Sequence, residues 1–316
     1  MISLVIPVYR NAENIPSLLE AMEGLHAQLG DALEIVFVVD GSPDDSYARL
    51  AAALPTHPAR TQLLALSRNF GSFAAIRAGL AAARGERFAV LAADLQEPPE
   101  LVLQFNERLA AGTCDVVVGT RARRADPFFT RLASTIFWAA YRHWVQPELP
   151  PGGVDVFGCS KQVRDEILEL RESSSSLVGL LFWVGFRREQ VSYDRRVRLL
   201  GRSAWTFAKK LRYLSDSVFN FSDLPVRLLF RLGILGTLAS VVGAAAVLAA
   251  KLASRIPVPG YAATVLTIVF FGGLNCLGLG IIGGYVYRTL ENTRGRPNYL
   301  VARRTAFDGT GSTKNN

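Results

Sequence analysis

Apolar and polar positions alternate in two rhythms along the first 120 residues. Short apolar runs at Ile2–Val8, Leu33–Val39, Thr61–Leu66, Arg87–Ala92 and Asp115–Gly119 have strand length and strand composition. Between them, Ile15–Leu29, Asp45–Leu54, Ser72–Ala83 and Glu100–Ala111 carry apolar residues at helical spacing. Strands alternating with helices predict an α/β fold with a mostly parallel sheet covered on both faces. In such sheets ligands bind beyond the carboxyl ends of the strands. The polar and turn-forming residues found there are Pro7-Val-Tyr9, Asp40-Gly-Ser42, Arg68-Asn-Phe-Gly71 and Asp94-Leu-Gln96.

The rhythm changes near the other end of the chain. Leu232–Ala250 and Ile256–Tyr287 contain no charged residue, and each is long enough for the roughly 20 helical residues that cross a bilayer core. Prolines and a glycine between them end one helix before the next begins. Lys209, Lys210, Arg212, Arg227 and Arg231 precede the first run, and Arg288, Arg294, Arg296, Arg303 and Arg304 follow the second. The connection has only Lys251 and Arg255, so both termini are expected in the cytoplasm, with the chain a multi-pass protein of the cytoplasmic (inner) membrane. Gly236 with Ser240, and Gly280 with Gly284, are candidate points of close helix approach. Gly278-Leu-Gly-Ile-Ile-Gly283 matches a dinucleotide-binding fingerprint, but it lies in an apolar run with no preceding strand and is set aside. Ser203–Phe221 and Phe128–Val145 have aromatic faces that suit the headgroup layer. Phe307–Asn316 is small, polar and expected to be disordered.

Composition narrows the partners. Half of the 316 residues are apolar, yet the net charge is +8, which suits anionic lipid or phosphorylated ligands. The long apolar runs argue against nucleic acid. Cys114, Cys159 and Cys276 have no paired spacing and read as unpaired thiols; His26, His57 and His143 read as structural. Met1 leads directly into a strand-like run, with no secretory leader pattern.

Val5-Ile-Pro-Val-Tyr9, Asp40-Gly-Ser-Pro-Asp44, Arg68-Asn-Phe-Gly71, Asp94-Leu-Gln-Glu-Pro-Pro-Glu100 and Gly119-Thr-Arg121 follow one another in this order. That order resembles the inverting glycosyltransferase family 2. Trp183-Val-Gly-Phe186, Tyr193-Asp-Arg195 through Arg198, Gly201-Arg-Ser203 and Gly284-Tyr-Val-Tyr-Arg288 through Pro297 extend the resemblance to its polyprenyl-phosphate branch. This branch includes dolichyl-phosphate mannose synthases and undecaprenyl-phosphate sugar transferases.

The resemblance implies a GT-A catalytic domain over residues 1–200, a juxtamembrane amphipathic helix over 201–227, a two-span hairpin over 228–288 and a basic cytoplasmic tail over 289–316, disordered at its end. It implies transfer of a sugar from a UDP- or GDP-sugar to a polyprenyl phosphate, with Mg2+ or Mn2+, membrane lipids around the spans and self-association. Asp94 and Gln96, at i and i+2 past a strand, would hold the metal. Pro7, Tyr9, Asp40, Asn69, Asp94, Arg198 and Ser203 would bind the donor. Arg121 and Arg131, with Ser134, would grip the acceptor phosphate, since forked guanidinium groups suit phosphate oxygens. A lipid phosphate is already anionic and needs no general base, and the sequence shows neither an adjacent Glu-Asp pair at a likely base position nor the Gln-x-x-Arg-Trp signature of processive polysaccharide synthases.

Two positions depart from the family. Ala92 and Val39 stand where an aspartate is usual, which predicts a metal site more dependent on the donor's phosphates. The same departures make a non-catalytic scaffold the rival reading, beside a polysaccharide synthase.

Overall fold

The computed structural model describes residues 1–121, 147–150, 153–170, 172, 176–196, 216, 218–219, 222, 224–252, 260–309 and 313–315. Among the described residues nine strands form one sheet: β1 (Ile2–Val8), β2 (Leu33–Val39), β3 (Arg60–Leu66), β4 (Arg87–Val90), β5 (Val116–Arg121), β6 (Val156–Ser160), β7 (Arg188–Tyr193), β8 (Val301–Phe307) and β9 (Thr313–Asn315). Their spatial order is β7-β5-β6-β4-β1-β2-β3-β8-β9. Only β6 and β8 run against the others.

Nearly continuous apolar runs explain why the central strands are buried on both faces. Ile2, Leu4, Ile6 and Val8 join one core with Leu33, Ile35, Phe37 and Val39. Val5, Val36 and Val38, at the intervening positions, join the other. Three helices cover the first core: α1 (Ile15–Leu29), α2 (Ser46–Ala53) and α4 (Leu101–Ala111). The second core is covered by α3 (Ser72–Ala82) and by the helices Lys161–Glu169 and Leu177–Trp183. A strand buried on both sides gains roughly 2 kcal/mol for each large aliphatic side chain removed from water.

Pro7 sits in a central strand, where a missing N–H is normally costly. Val5 O accepts from Leu91 N, whereas Val8 O accepts from Asp40 N. Backbone groups of odd-numbered residues in β1 therefore face β4, and those of even-numbered residues face β2. The β4 ladder ends at Val5–Val90, so Pro7 points its donorless nitrogen past the end of that ladder.

The five strands and four helices expected in the first 121 residues are all present, with ends displaced by at most two residues. Part of Phe307–Asn316, expected to be disordered, is instead ordered in the sheet: Thr313–Asn315 pairs with β8, and Phe307 closes Val301–Phe307, a strand with no sequence expectation that pairs antiparallel with β3. The physical reason is the unpaired outer edge of β3, whose amides and carbonyls the returning chain satisfies.

Two long helices, Leu224–Leu252 and Tyr261–Thr293, contain the first apolar run and the second from Tyr261 on. Among the described residues, Phe270–Thr293 is the one segment long and apolar enough to cross a membrane, and its apolar stretch is not buried within the protein. The two helices approach at Gly236, where a Cβ would lie 3.2 Å from Phe271 Cε1, and at Gly278, where it would lie 3.3 Å from Leu229 Cδ1. Gly280, expected at this contact, has nothing within 4 Å among the described residues, and Gly284 faces Phe219 instead. The dinucleotide-like glycines lie inside the helix Tyr261–Thr293, which is no βα turn. The aromatic stretches 128–145 and 203–221 lie outside the described residues, apart from Asp216, Val218 and Phe219.

Candidate functional site

The loops after the parallel strands meet at one edge of the sheet. Asp40, directly after β2 and 2% exposed, accepts hydrogen bonds from Phe70 N at 2.7 Å and Gly71 N at 2.8 Å. The carboxylate expected to contact the donor thus organises the loop 68–71, which carries exposed Asn69. Gly41, at φ 54°, lets the two loops touch: a Cβ there would lie 2.2 Å from Arg68 C. Loops after β1 and β2 are also stitched together, by Arg10 N to Ser42 Oγ at 2.8 Å and Ala12 N to Asp44 Oδ2 at 3.0 Å. Pro7 is the penultimate residue of β1 within this frame, and the partly buried Tyr9 follows the strand, with the Arg10 guanidinium 5.5 Å from its ring centre.

A second cluster forms where β4, β5, β6 and β7 meet. Asp94 and Gln96 are partly exposed, and Leu95 between them has φ 51°, a left-handed conformation that a branched side chain adopts only under constraint. Gln96 N donates to Asp94 Oδ1 at 3.4 Å, and Gln96 Oε1 accepts from Arg195 Nη2 at 2.7 Å. Arg196 N donates to Gln96 O at 2.8 Å, which joins the chain after β7 to this loop.

Arg121, the last residue of β5, pairs through Nε with Asp155 Oδ2 at 2.5 Å, and Tyr193 Oη donates to the same oxygen at 3.1 Å. Asp155 reaches this edge because β6, which it precedes, runs antiparallel to β4 and β5.

Glu97 lies at the centre of the cluster. It is 1% exposed, its Oε1 is 3.5 Å from Arg195 Nε, and its Oε2 has no hydrogen-bond partner among the described residues. Burial pushes its carboxyl up to about 7; Asp155 and Asp94 add to the shift, while Arg195 and Arg121 oppose it. Glu97 therefore lies among two carboxylates and two guanidinium groups contributed by four separate stretches of chain.

Glu97, Asp155, Tyr193 and Arg195 were not assigned roles from the sequence. Glu97, Tyr193 and Arg195 stood inside the motifs that carried the resemblance. Asp155 follows Gly152-Gly-Val154 with no periodicity to mark it, so the antiparallel β6 is what reveals it. Arg131, Ser134, Arg198 and Ser203 lie outside the described residues. Val39 is a core residue, 2% exposed, so that departure from the family adds apolar packing. Ala92 is partly exposed beside the Asp94 loop.

The oxygen donors fit a hard divalent cation that takes most of its ligands from elsewhere. Asp94 supplies a carboxylate, Gln96 an amide oxygen already shared with Arg195, and the unpartnered Glu97 Oε2 is compatible with a cation nearby. Among the described residues no group of three or more His, Cys, Asp or Glu side chains is placed to hold a metal unaided.

Residues 3–169 match the family model described as Glycosyl transferase family 2. The chain is 34% identical over 301 residues to CsbB of Bacillus subtilis (strain 168), covering 95% of this chain and 91% of that protein. It is 29% identical over 304 residues to the prophage bactoprenol glucosyl transferase homolog of Escherichia coli (strain K12), covering 96% and 98%. The resemblance read from the motifs, polyprenyl-phosphate branch included, is borne out by these relatives. A solved structure of glucosyl-3-phosphoglycerate synthase from Mycobacterium tuberculosis in complex with UDP overlaps 69% of this chain and 79% of that one, at 21% identity and a TM-score of 0.48.

Proposed function

The chain belongs to glycosyl transferase family 2, as a nucleotide-sugar-dependent glycosyltransferase, and from that premise we propose that it moves a sugar from a UDP- or GDP-sugar onto a polyprenyl phosphate. The observation that carries this reading is the junction around Glu97. There Arg195 bridges the candidate metal ligand Gln96 and buried Glu97, while the candidate phosphate-binding guanidinium of Arg121 pairs with Asp155, all at the ligand-binding edge of the sheet. Relatives named bactoprenol glucosyl transferases, matched along nearly their whole length, support a polyprenyl carrier as the acceptor.

A phosphate oxygen of the lipid attacks the anomeric carbon from the face opposite the diphosphate. The new C–O bond forms as the bond to the diphosphate oxygen breaks, inverting the configuration and releasing nucleoside diphosphate. The nucleophile is anionic at neutral pH, so no proton has to be removed from it. The protein's work is alignment and charge neutralisation. Arg121, Arg131 and Ser134 hold the acceptor phosphate, and Asp155 fixes the Arg121 fork from behind. Pro7, Tyr9, Asp40 and Asn69 seat the nucleotide, the Asp40 carboxylate acting through the loop that it orders. Arg198 and Ser203 close over the diphosphate. Asp94 and Gln96 would hold Mg2+ or Mn2+, which when bound would supply Lewis-acid stabilisation of the leaving group.

Both long helices are read as membrane spans, with the catalytic domain, residues 1–200, and both termini on the cytoplasmic side. The juxtamembrane segment 201–227 lies in the headgroup layer and copies of the chain self-associate. The test is purified full chain with undecaprenyl phosphate and a panel of UDP- and GDP-sugars, with and without EDTA, read by mass spectrometry of the lipid. Appearance of a glycosyl monophosphate lipid supports the proposal; its absence with every donor and cation overturns it. Ala92 motivates a second reading, a scaffold that binds the same ligands without turnover. Donor binding by calorimetry with no product across the panel would favour it.

A further inference from the structure

After the helix Tyr261–Thr293 the chain returns to the sheet at a telling place. Ser67 N, just past the carboxyl end of β3, donates to Leu300 O at 2.9 Å. Because β8 runs antiparallel to β3, it begins at the edge that carries Asp40, Asp94 and Arg121 and runs away from it. Thr293 and Leu300 are seven peptide links apart, a reach of no more than roughly 25 Å when extended. The end of the long helix is thus tied on a short lead to the ligand-binding edge, beside the loop 68–71 that Asp40 orders.

The attachment is specific beyond backbone pairing. Arg304 donates to Gln62 Oε1 from Nε at 3.2 Å and from Nη2 at 2.9 Å. Gln62, 2% exposed, donates in turn to Glu34 Oε1 at 2.8 Å and Ala82 O at 2.9 Å. Glu34, 4% exposed, also accepts from Ser3 Oγ at 2.5 Å and Arg84 N at 2.8 Å. This polar chain crosses from β8 through β3 and β2 to β1. A one-residue slip of β8 would turn Arg304 to the other face and strip the buried Gln62 oxygen of its donors. Phe307, 5% exposed, joins the first core, and Gly309, at φ 73°, lies where a Cβ would be 2.4 Å from Pro58 O. Register, and with it the point where the lead begins, is set by side chains.

We propose that Arg294–Gly309 is a strap that holds the ligand-binding edge of the sheet at the membrane surface, with Arg304 as the positioning residue that locks it. This rests on the reading of Tyr261–Thr293 as a membrane span. A strand that merely covered the edge of β3 would tolerate any length of lead. A strap would not, because a slack lead lowers the effective concentration of the site near lipid headgroups.

The experiment uses the full chain in nanodiscs of phosphatidylethanolamine and phosphatidylglycerol. One variant carries about ten Gly/Ser residues between Arg296 and Pro297, which slackens the lead and leaves β8 docked; the other is Arg304→Ala, with Arg304→Lys as its rescue. A dye on Asp45→Cys, an exposed position past the carboxyl end of β2, reports energy transfer to headgroup-labelled lipid in a Cys276→Ser background. The insertion is expected to lower energy transfer by about a third and to raise the KM for undecaprenyl phosphate roughly fivefold, while UDP affinity stays at the parent value. Arg304→Ala is expected to shift both readouts the same way and Arg304→Lys to restore part of each. Unchanged energy transfer in the insertion variant overturns the strap, whether or not the parent transfers sugar. Altered energy transfer with an unchanged acceptor KM overturns its role in the reaction. A parent that makes no glycolipid overturns the proposed function alone, and the energy-transfer arm still decides the strap.

Discussion

Asp40 holds Gly71 across the mouth of the site: Gly71 N donates to Asp40 Oδ2 at 2.8 Å, while Phe70 N takes Oδ1. Two strand-end loops are thereby welded through one buried carboxylate. Removing it strands two backbone donors, and an unpaired buried donor costs about 1–3 kcal/mol. Asp40→Ala is expected to lose about 2–4 kcal/mol of stability on that scale and most nucleotide affinity. Asp40→Asn, which keeps one acceptor oxygen, should fall between it and the parent. Thermal unfolding together with calorimetric titration of UDP checks both.

The Arg121–Asp155 pair predicts a different signature. Both side chains are less than a third exposed, and Arg121 engages Asp155 through Nε. A charged hydrogen bond to phosphate is worth about 1.5–3 kcal/mol, or roughly ten- to a hundredfold in affinity. Arg121→Ala should therefore raise the KM for undecaprenyl phosphate by about that factor. Arg121→Lys should recover only part, because a point charge cannot reproduce the fork. Steady-state kinetics with the acceptor varied at saturating donor would show it, and an unchanged acceptor KM would remove Arg121 from the phosphate site.

With few protein ligands available, metal dependence should be steep and donor-linked. EDTA is expected to abolish transfer, and Mg2+ or Mn2+ to restore it. Asp94→Ala should lower kcat by roughly a hundredfold or more, the equivalent of about 3 kcal/mol of lost transition-state stabilisation. Full activity in this variant would refute the metal assignment. Isothermal titration of Mn2+ with and without UDP gives an independent reading: affinity should rise sharply when the nucleotide is present.

Leu95 pays for the placement of Asp94 and Gln96 with its left-handed backbone. A β-branched replacement tolerates that conformation worse still. Leu95→Val should cost about 1–2 kcal/mol and reduce transfer further by tilting Asp94, whereas Leu95→Met should stay near the parent. Comparing melting temperature with kcat in the two variants separates strain from lost packing.

His57 predicts an acid limit of stability. It is 3% exposed, burial holds its pKa below the usual 6.5, and Ala59 N donates to its Nδ1 at 3.2 Å, which places the proton of the neutral ring on Nε2. Between the depressed folded value and 6.5 the unfolded chain binds the extra proton, so unfolding is favoured as pH falls through that window. Stability from this residue is complete above about pH 6.5 and declines below it. His57→Phe should flatten the slope of melting temperature between about pH 5 and pH 7, measured on the full chain in detergent.

Much of this architecture is written locally. The short apolar runs of β1 to β5 and the helical spacing of α1 to α4 each lie within 15 consecutive residues or fewer, so neighbours along the chain suffice to specify them. The position of Asp40, Asp94 and Gln96 past strand ends follows from the same pattern. Residues 232–250 and 256–287 declare themselves by the absence of charge. Tertiary structure decided the rest. Asp155 joins Arg121 only because β6 inserts antiparallel between β4 and β5, and the tail becomes β8 only because β3 offers an open edge. Gly278 rather than Gly280 meets the neighbouring helix because rotation about the helix axis is set by packing. Chain periodicity reports which face of an element is apolar. Partners distant in sequence are selected by edge satisfaction and close packing, which no single segment contains.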